Sequence, residues 1–197
     1  MKTKFILHGG MTSQDNSHND SFFTEFSKDL KDGDRVLFVG FARENDNEQE
    51  EVYQRDKKAI LAHTDKDLIV EKAELELFET QLENADAVYT TGGTTKILKE
   101  RLETCPSFRD LLNGKTYAGS SAGANVVSAY HTSGFAEGVQ EGLGILPIRT
   151  MAHYGNPEFN AAKENVSWLE QYSHDLELVL LPECEWKIIE IDLQEKF

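Results

Sequence analysis

Lys115-Thr116-Tyr117-Ala118-Gly119-Ser120-Ser121-Ala122-Gly123-Ala124-Asn125-Val126-Val127 passes from an apolar, strand-like run into an alanine-rich, helix-like one across a serine flanked by glycines. Residues 119–123 fit G-x-S-x-G, the pattern of a sharp strand-to-helix turn that lifts a serine hydroxyl out of a sheet in a strained backbone conformation. Such a turn needs small residues two before and two after the serine, and Gly119 and Gly123 meet that need. The amide of Ala122 then opens a helix, where unpaired N–H groups favour a developing oxyanion. At average glycine and serine usage the bare pattern occurs in roughly one chain in fifteen of this length. The strand before it and the helix after it therefore carry the reading.

Working outward, short buried-strand runs appear at residues 4–8, 35–40, 68–70, 87–91, 116–119 and 178–181. Helix-like segments separate most of them, at 49–63, 73–82, 95–103 and from Pro157 through Tyr172. Alternating strands and helices predict an α/β protein with a mostly parallel sheet covered on both faces. With 197 residues and no Gly/Ser/Pro-rich linker or repeat, one domain spanning 1–197 is expected. The polar stretch 12–21 reads as a solvated loop after the first strand, with a lid over the sheet edge as the alternative. The acidic run 44–51 reads as a helix start, where carboxylates suit the dipole.

A second glycine turn, Thr91-Gly92-Gly93-Thr94-Thr95, follows the apolar Ala87-Val88-Tyr89. It is a plain strand-to-helix turn capped by Thr94 or Thr95, or a loop whose amides face the same crevice as Ser121. It matches neither dinucleotide nor P-loop phosphate patterns.

Taken together, Gly92-Gly93-Thr94 and, about 25 residues later, Tyr117-Ala118-Gly119-Ser120-Ser121-Ala122-Gly123-Ala124-Asn125 resemble peptidase family S51, which contains peptidase E (aspartyl dipeptidase) and cyanophycinase. Thr94 stands where the family's glycine turn usually has asparagine. The resemblance runs from the first strand to Leu180-Leu181-Pro182-Glu183. It implies a three-layer α/β sandwich of the class I glutamine amidotransferase-like (flavodoxin-like) kind. It also implies Ser121 as nucleophile, the amides of Gly93 and Ala122 as oxyanion hole, and His153 as general base.

A serine hydroxyl is a weak nucleophile at neutral pH and needs an imidazole titrating near 6.5 to take its proton. Without the resemblance the base role is divided between His8, which ends the first strand, and His153. His18, His63 and His174 sit in polar or helical surroundings, and His131 reads as a cap on the helix after the elbow.

The acid of the triad departs from the family pattern. The aspartate that peptidase E carries about fifteen residues past its serine falls here on Ala136, and the interval from Ser121 to His153 holds only Glu137 and Glu141 as acids. Glu137 is the first candidate, with Glu141 and Glu158 behind it, or no carboxylate at all. For an acidic substrate residue, Arg149 is the candidate cation, since strand alternation puts it on the face of Met151 and His153.

Composition sets the remaining expectations. Thirty-five acidic against 20 basic residues give a formal charge of −15, which opposes binding to nucleic acid or anionic lipid. No window reaches the length of a membrane span and no secretory leader is evident, so a cytoplasmic protein is expected. Cys105 and Cys184 lack metal or disulfide spacing. The expectation is a serine peptidase for small peptides, monomeric or homodimeric, without metal or cofactor. The alternatives are a non-catalytic or regulatory member of the same fold, and a cyanophycinase-like or amidotransferase-like hydrolase; the last would need a cysteine where Ser121 stands.

Overall fold

The computed structural model describes residues 2–134, 136–158 and 163–194. Strands β1 (Thr3–His8), β2 (Arg35–Val39), β3 (Ile69–Lys72), β4 (Ala87–Thr90), β5 (Thr116–Ser120) and β10 (Trp186–Ile191) form one sheet in the order β10-β1-β5-β4-β2-β3. All neighbours are parallel except the edge pair β1 and β10. Consecutive side chains of these strands point to opposite faces, so a sheet buried on both sides needs apolar residues at every position. Ile6, Val36, Phe38, Ala87, Tyr89 and Ala118 pack on one face against Phe22, Phe23 and Phe26 of α1 (Ser17–Ser27) and Val52 and Ile60 of α2 (Asp46–Ala62). Phe5, Leu7, Leu37, Val39, Val88 and Tyr117 pack on the other.

That second face is covered by helices α3 (Phe78–Glu83), α4 (Thr95–Leu102), α5 (Phe108–Leu111) and α6 (Ala122–Val126). It also meets a smaller sheet of β6 (Ser128–Ser133), β7 (Ala136–Glu141), β8 (Leu146–Ala152) and β9 (Glu177–Leu181), ordered β7-β6-β8-β9. Leu146, Ile148, Val179 and Leu181 join the same core. The architecture is α/β with a mostly parallel central sheet, of the flavodoxin-like kind. The run 178–181 thus belongs to the second sheet, parallel to β8; its apolar composition suits either sheet, and only pairing distinguishes them.

Two local readings are corrected. Residues 17–21 are helical, the first turns of α1, capped by the Asn16 carboxamide, which accepts the His18 N–H at 2.8 Å. Three phenylalanines bury this helix despite its polar start. The late helix α7 is Lys163–Gln171, and Pro157 lies in a turn before it; residues 159–162 lie outside the described residues. No helix among the described residues is long and apolar enough to cross a membrane.

Candidate active site

The parallel strands β1, β4 and β5 end at one edge of the main sheet, and the loops that follow them build the site together with the turns after β8 and β9 of the second sheet. After Ser120 the chain turns at Ser121, with φ +52° and ψ −107°, and enters α6 at Ala122. A non-glycine residue in this region is strained and persists only where its surroundings hold it. Here the Ser121 N–H donates to the His8 carbonyl at 2.9 Å, and Tyr117 Oη donates to the Gly123 carbonyl at 2.7 Å. A Cβ on Gly119 would lie 2.3 Å from the Gly123 oxygen, and one on Gly123 would lie 2.4 Å from the Thr90 oxygen. Both glycines are therefore steric requirements of the elbow. Gly92 faces the serine directly, with its Cβ direction 3.1 Å from Ser121 Cβ.

His153 follows the last residue of β8 with φ +55° and donates its N–H to the Gly9 carbonyl at 2.8 Å. Its Nε2 lies 2.9 Å from Ser121 Oγ, and its Nδ1 lies 2.8 Å from Glu183 Oε1. The same carboxylate oxygen accepts the Asn156 carboxamide at 2.7 Å. Burial pushes the Glu183 pKa up, but the hydrogen bonds from His153 and Asn156 outweigh it and hold the carboxyl below its ordinary value. An ionised Glu183 accepting from Nδ1–H leaves Nε2 with its lone pair toward the serine hydroxyl, the tautomer a general base requires.

Glu183 is the residue that sequence reasoning passed over. It sits in the turn between β9 and β10, 30 residues past the histidine, whereas the candidate acids lie between serine and histidine or, as Glu158, just past it. Its signal was the apolar run of β9, which is parallel to β8 and so ends beside it. Glu137 lies on β7 and its side chain falls outside the described residues; among the described residues Glu183 is a carboxylate on His153. Glu141 and Glu158 are exposed.

Arg149 is also corrected. It is 6% exposed and donates to the carbonyls of Leu169, Tyr172 and Leu176, closing the end of α7. The alternation argument failed because β8 stops at Ala152 and His153 turns out of the strand. His8 is fully buried, with Nδ1 accepting from the Gly10 N–H and Nε2 bonded to Asn19 Oδ1, so neither nitrogen faces the serine. His131 lies in β6, buried, rather than at a helix end.

A cavity of about 820 Å³ opens from Ser121 and His153 along the Gly92-Gly93 turn. Met11, Thr12, Ala42, Thr94 and Ile97 form part of its wall, and its two cations are Arg43 and Arg55. Arg55 Nε is 2.7 Å from the buried Asp56. Arg43 reaches Glu48 only at 3.9 Å, and its buried Nε has no hydrogen-bond partner. Among the described residues no cluster of histidine, cysteine or carboxylate side chains could hold a metal ion.

A serine elbow at the carboxyl end of β5, hydrogen-bonded in series to a histidine and a glutamate that follow β8 and β9 of the second sheet, defines the class of site. The chain belongs to peptidase family S51, whose model matches residues 5–192. It superposes on the structure of a putative peptidase E from Listeria monocytogenes EGD-e with a TM-score of 0.67 and 21% identity, over 98% of this chain and 99% of that one. A peptidase from an acI-B1 actinobacterium gives a TM-score of 0.62 at 18% identity, over 98% and 91%. No curated protein matches the chain.

Proposed function

We propose that the protein is a serine peptidase that hydrolyses small peptides through an acyl-enzyme on Ser121. The observation that carries this reading is the series Ser121 Oγ, His153, Glu183, joined at 2.9 and 2.8 Å. In the first half-reaction Ser121 Oγ attacks the scissile carbonyl while His153 Nε2 takes its proton. The amides of Gly93 and Ala122 receive the oxyanion, and His153 returns the proton to the departing amine. Water then attacks the ester by the same route in reverse roles, releasing the acid and restoring the hydroxyl. Glu183 holds the imidazole in the productive tautomer throughout and stabilises the imidazolium. A non-catalytic reading drew its weight from the missing acid, and a carboxylate at Glu183 supports the catalytic one instead.

The cavity favours peptides bearing a carboxylate near the scissile bond. In a chain of charge −15, Arg43 and Arg55 line the same cavity as Ser121, where Glu44 and Glu48 also stand, and Arg43 reaches Glu48 only at 3.9 Å. The test is turnover of a dipeptide panel, Asp-Leu and Ala-Leu included, by wild type, Ser121→Ala and Arg43→Ala. Activity is expected to vanish in Ser121→Ala. Arg43→Ala is expected to lose roughly 10- to 100-fold in kcat/KM on Asp-Leu with little change on Ala-Leu, the range of a hydrogen bond to a charged group. Turnover that survives Ser121→Ala would remove the mechanism, and an equal loss on both dipeptides would remove the role of Arg43.

A further inference from the structure

The proposed chemistry depends on three residues from separate parts of the chain, and one short segment touches the backbone of all three regions. His8, Gly9 and Gly10 follow one another at the end of β1. The His8 carbonyl accepts the Ser121 N–H at 2.9 Å, the Gly9 carbonyl accepts the His153 N–H at 2.8 Å, and the Gly10 carbonyl accepts the N–H of Cys184, the neighbour of Glu183, at 3.0 Å. Neither glycine can carry a side chain. A Cβ on Gly9 would lie 1.8 Å from the Pro182 oxygen, and one on Gly10 would lie 2.3 Å from His153 Cε1.

Two further contacts hold this segment: the Gly9 N–H donates to the Glu185 carbonyl at 2.9 Å, and the His8 ring reaches back to Gly10. Its Nδ1 accepts the Gly10 N–H at 3.0 Å, so Nδ1 carries no proton, and Nε2–H donates to Asn19 Oδ1 at 2.9 Å. The Asn19 carboxamide is itself oriented, because its Nδ2 donates to the carbonyls of Met11 and Gln14 at 2.9 and 2.8 Å. The N–H held by His8 and the carbonyl that holds His153 belong to one peptide unit, between Gly9 and Gly10. Because that unit is planar, fixing its N–H fixes its C=O. Gly10 at φ +110° and Met11 at φ +62° leave the turn little support from ordinary backbone preference.

We infer that His8 is a positioning residue, a neutral imidazole that locks the Gly9–Gly10 peptide and through it sets the place of His153 relative to Ser121. The inference rests on the proposed role of Ser121 and His153, and one part of its test does not need turnover. Burial holds His8 uncharged, with a pKa down at about 4, and the ionisable groups acting on it are His153 and Glu185.

The test exploits which ring nitrogen matters. In His8→Asn the carboxamide oxygen can occupy the place of Nδ1 and accept the Gly10 N–H. In His8→Gln the longer side chain can reach Asn19 in place of Nε2 but leaves the Gly10 N–H without its acceptor. Both replacements remove similar ring volume, so a role in packing alone predicts equal effects. Positioning predicts that His8→Gln lowers kcat about 100-fold with KM within about threefold, the scale of a small misplacement of reacting groups, and that His8→Asn stays within about tenfold of wild type. Equal kcat for the two variants would overturn the inference.

If the wild type shows no Ser121-dependent turnover, the proposed function fails, and imidazole nitrogen and proton resonances decide the inference separately. The His153 Nδ1–H signal, held by Glu183, is expected in wild type and His8→Asn and displaced in His8→Gln. Should both variants fail to fold, the wild-type spectrum decides alone: a His8 ring protonated on Nδ1 at neutral pH would overturn the inference.

Discussion

Glu183 accepts the imidazole of His153 and the carboxamide of Asn156 on the same oxygen, with its side chain 22% exposed. A neutral amide of the same shape could present N–H to Nδ1 and favour the wrong tautomer, so Glu183→Gln is expected to lower kcat by roughly 10²- to 10⁴-fold with KM little changed. Kinetics on the best dipeptide of the panel measure this, and a loss below about tenfold would leave His153 oriented by something else. The serine candidate was legible because it stands in a local pattern, whereas the residues alone left the histidine divided between His8 and His153. Glu183 was not legible, because nothing within a few residues of it distinguishes a carboxylate that meets His153 from any other turn acid. Arg149 misled for the related reason that a strand's alternation says nothing about where the strand stops.

The elements meet at the site through backbone that is strained at several points. Met11, Ser121, His153 and Cys184 all have positive φ without being glycine, and they terminate or follow β1, β5, β8 and β9 at one edge of the structure. The carbonyls of His8, Gly9 and Gly10 accept the N–H groups of Ser121, His153 and Cys184 and hold three of these turns. Strain of this kind costs on the order of 1–3 kcal/mol per residue. Ser121→Gly is therefore expected to be more stable than Ser121→Ala by about 1 kcal/mol, both being inactive, because only glycine adopts φ +52° with ψ −107° freely. Urea unfolding of the two variants checks this, and equal midpoints would mean that the elbow is relaxed. At this scale the elbow was readable from Gly119 and Gly123, whereas α1 was obscured by a polar start whose phenylalanines come only in its later turns.

Across the whole molecule the buried histidines link pH to stability. His131, 4% exposed in β6, has its pKa lowered from 6.5 to about 4 chiefly by burial. Its folded-state pKa lies below the unfolded one, so its contribution is fully present above about pH 6.5 and is lost as pH falls toward 4. Between pH 7 and pH 5 the loss is about 2 kcal/mol. Urea unfolding of wild type and His131→Gln at both pH values isolates it, since the acidic groups and their repulsion are common to both. Wild type is expected to weaken more on acidification, and parallel behaviour would show that His131 titrates normally in the fold.

The amino-acid sequence by itself determined the α/β class, the elbow and its nucleophile candidate, and the family resemblance. These are written in short-range features: apolar runs, glycine spacing, and the small residues that a sharp turn requires. Tertiary structure decided the second sheet, the pairing of β8 with β9, the glutamate that meets His153, and the two arginines of the cavity. It also divided His8 from His153, giving one ring to Gly10 and Asn19 and the other to Ser121 and Glu183. Each of those outcomes depends on which strand ends lie side by side, and that follows from the packing of the whole chain rather than from any stretch of it.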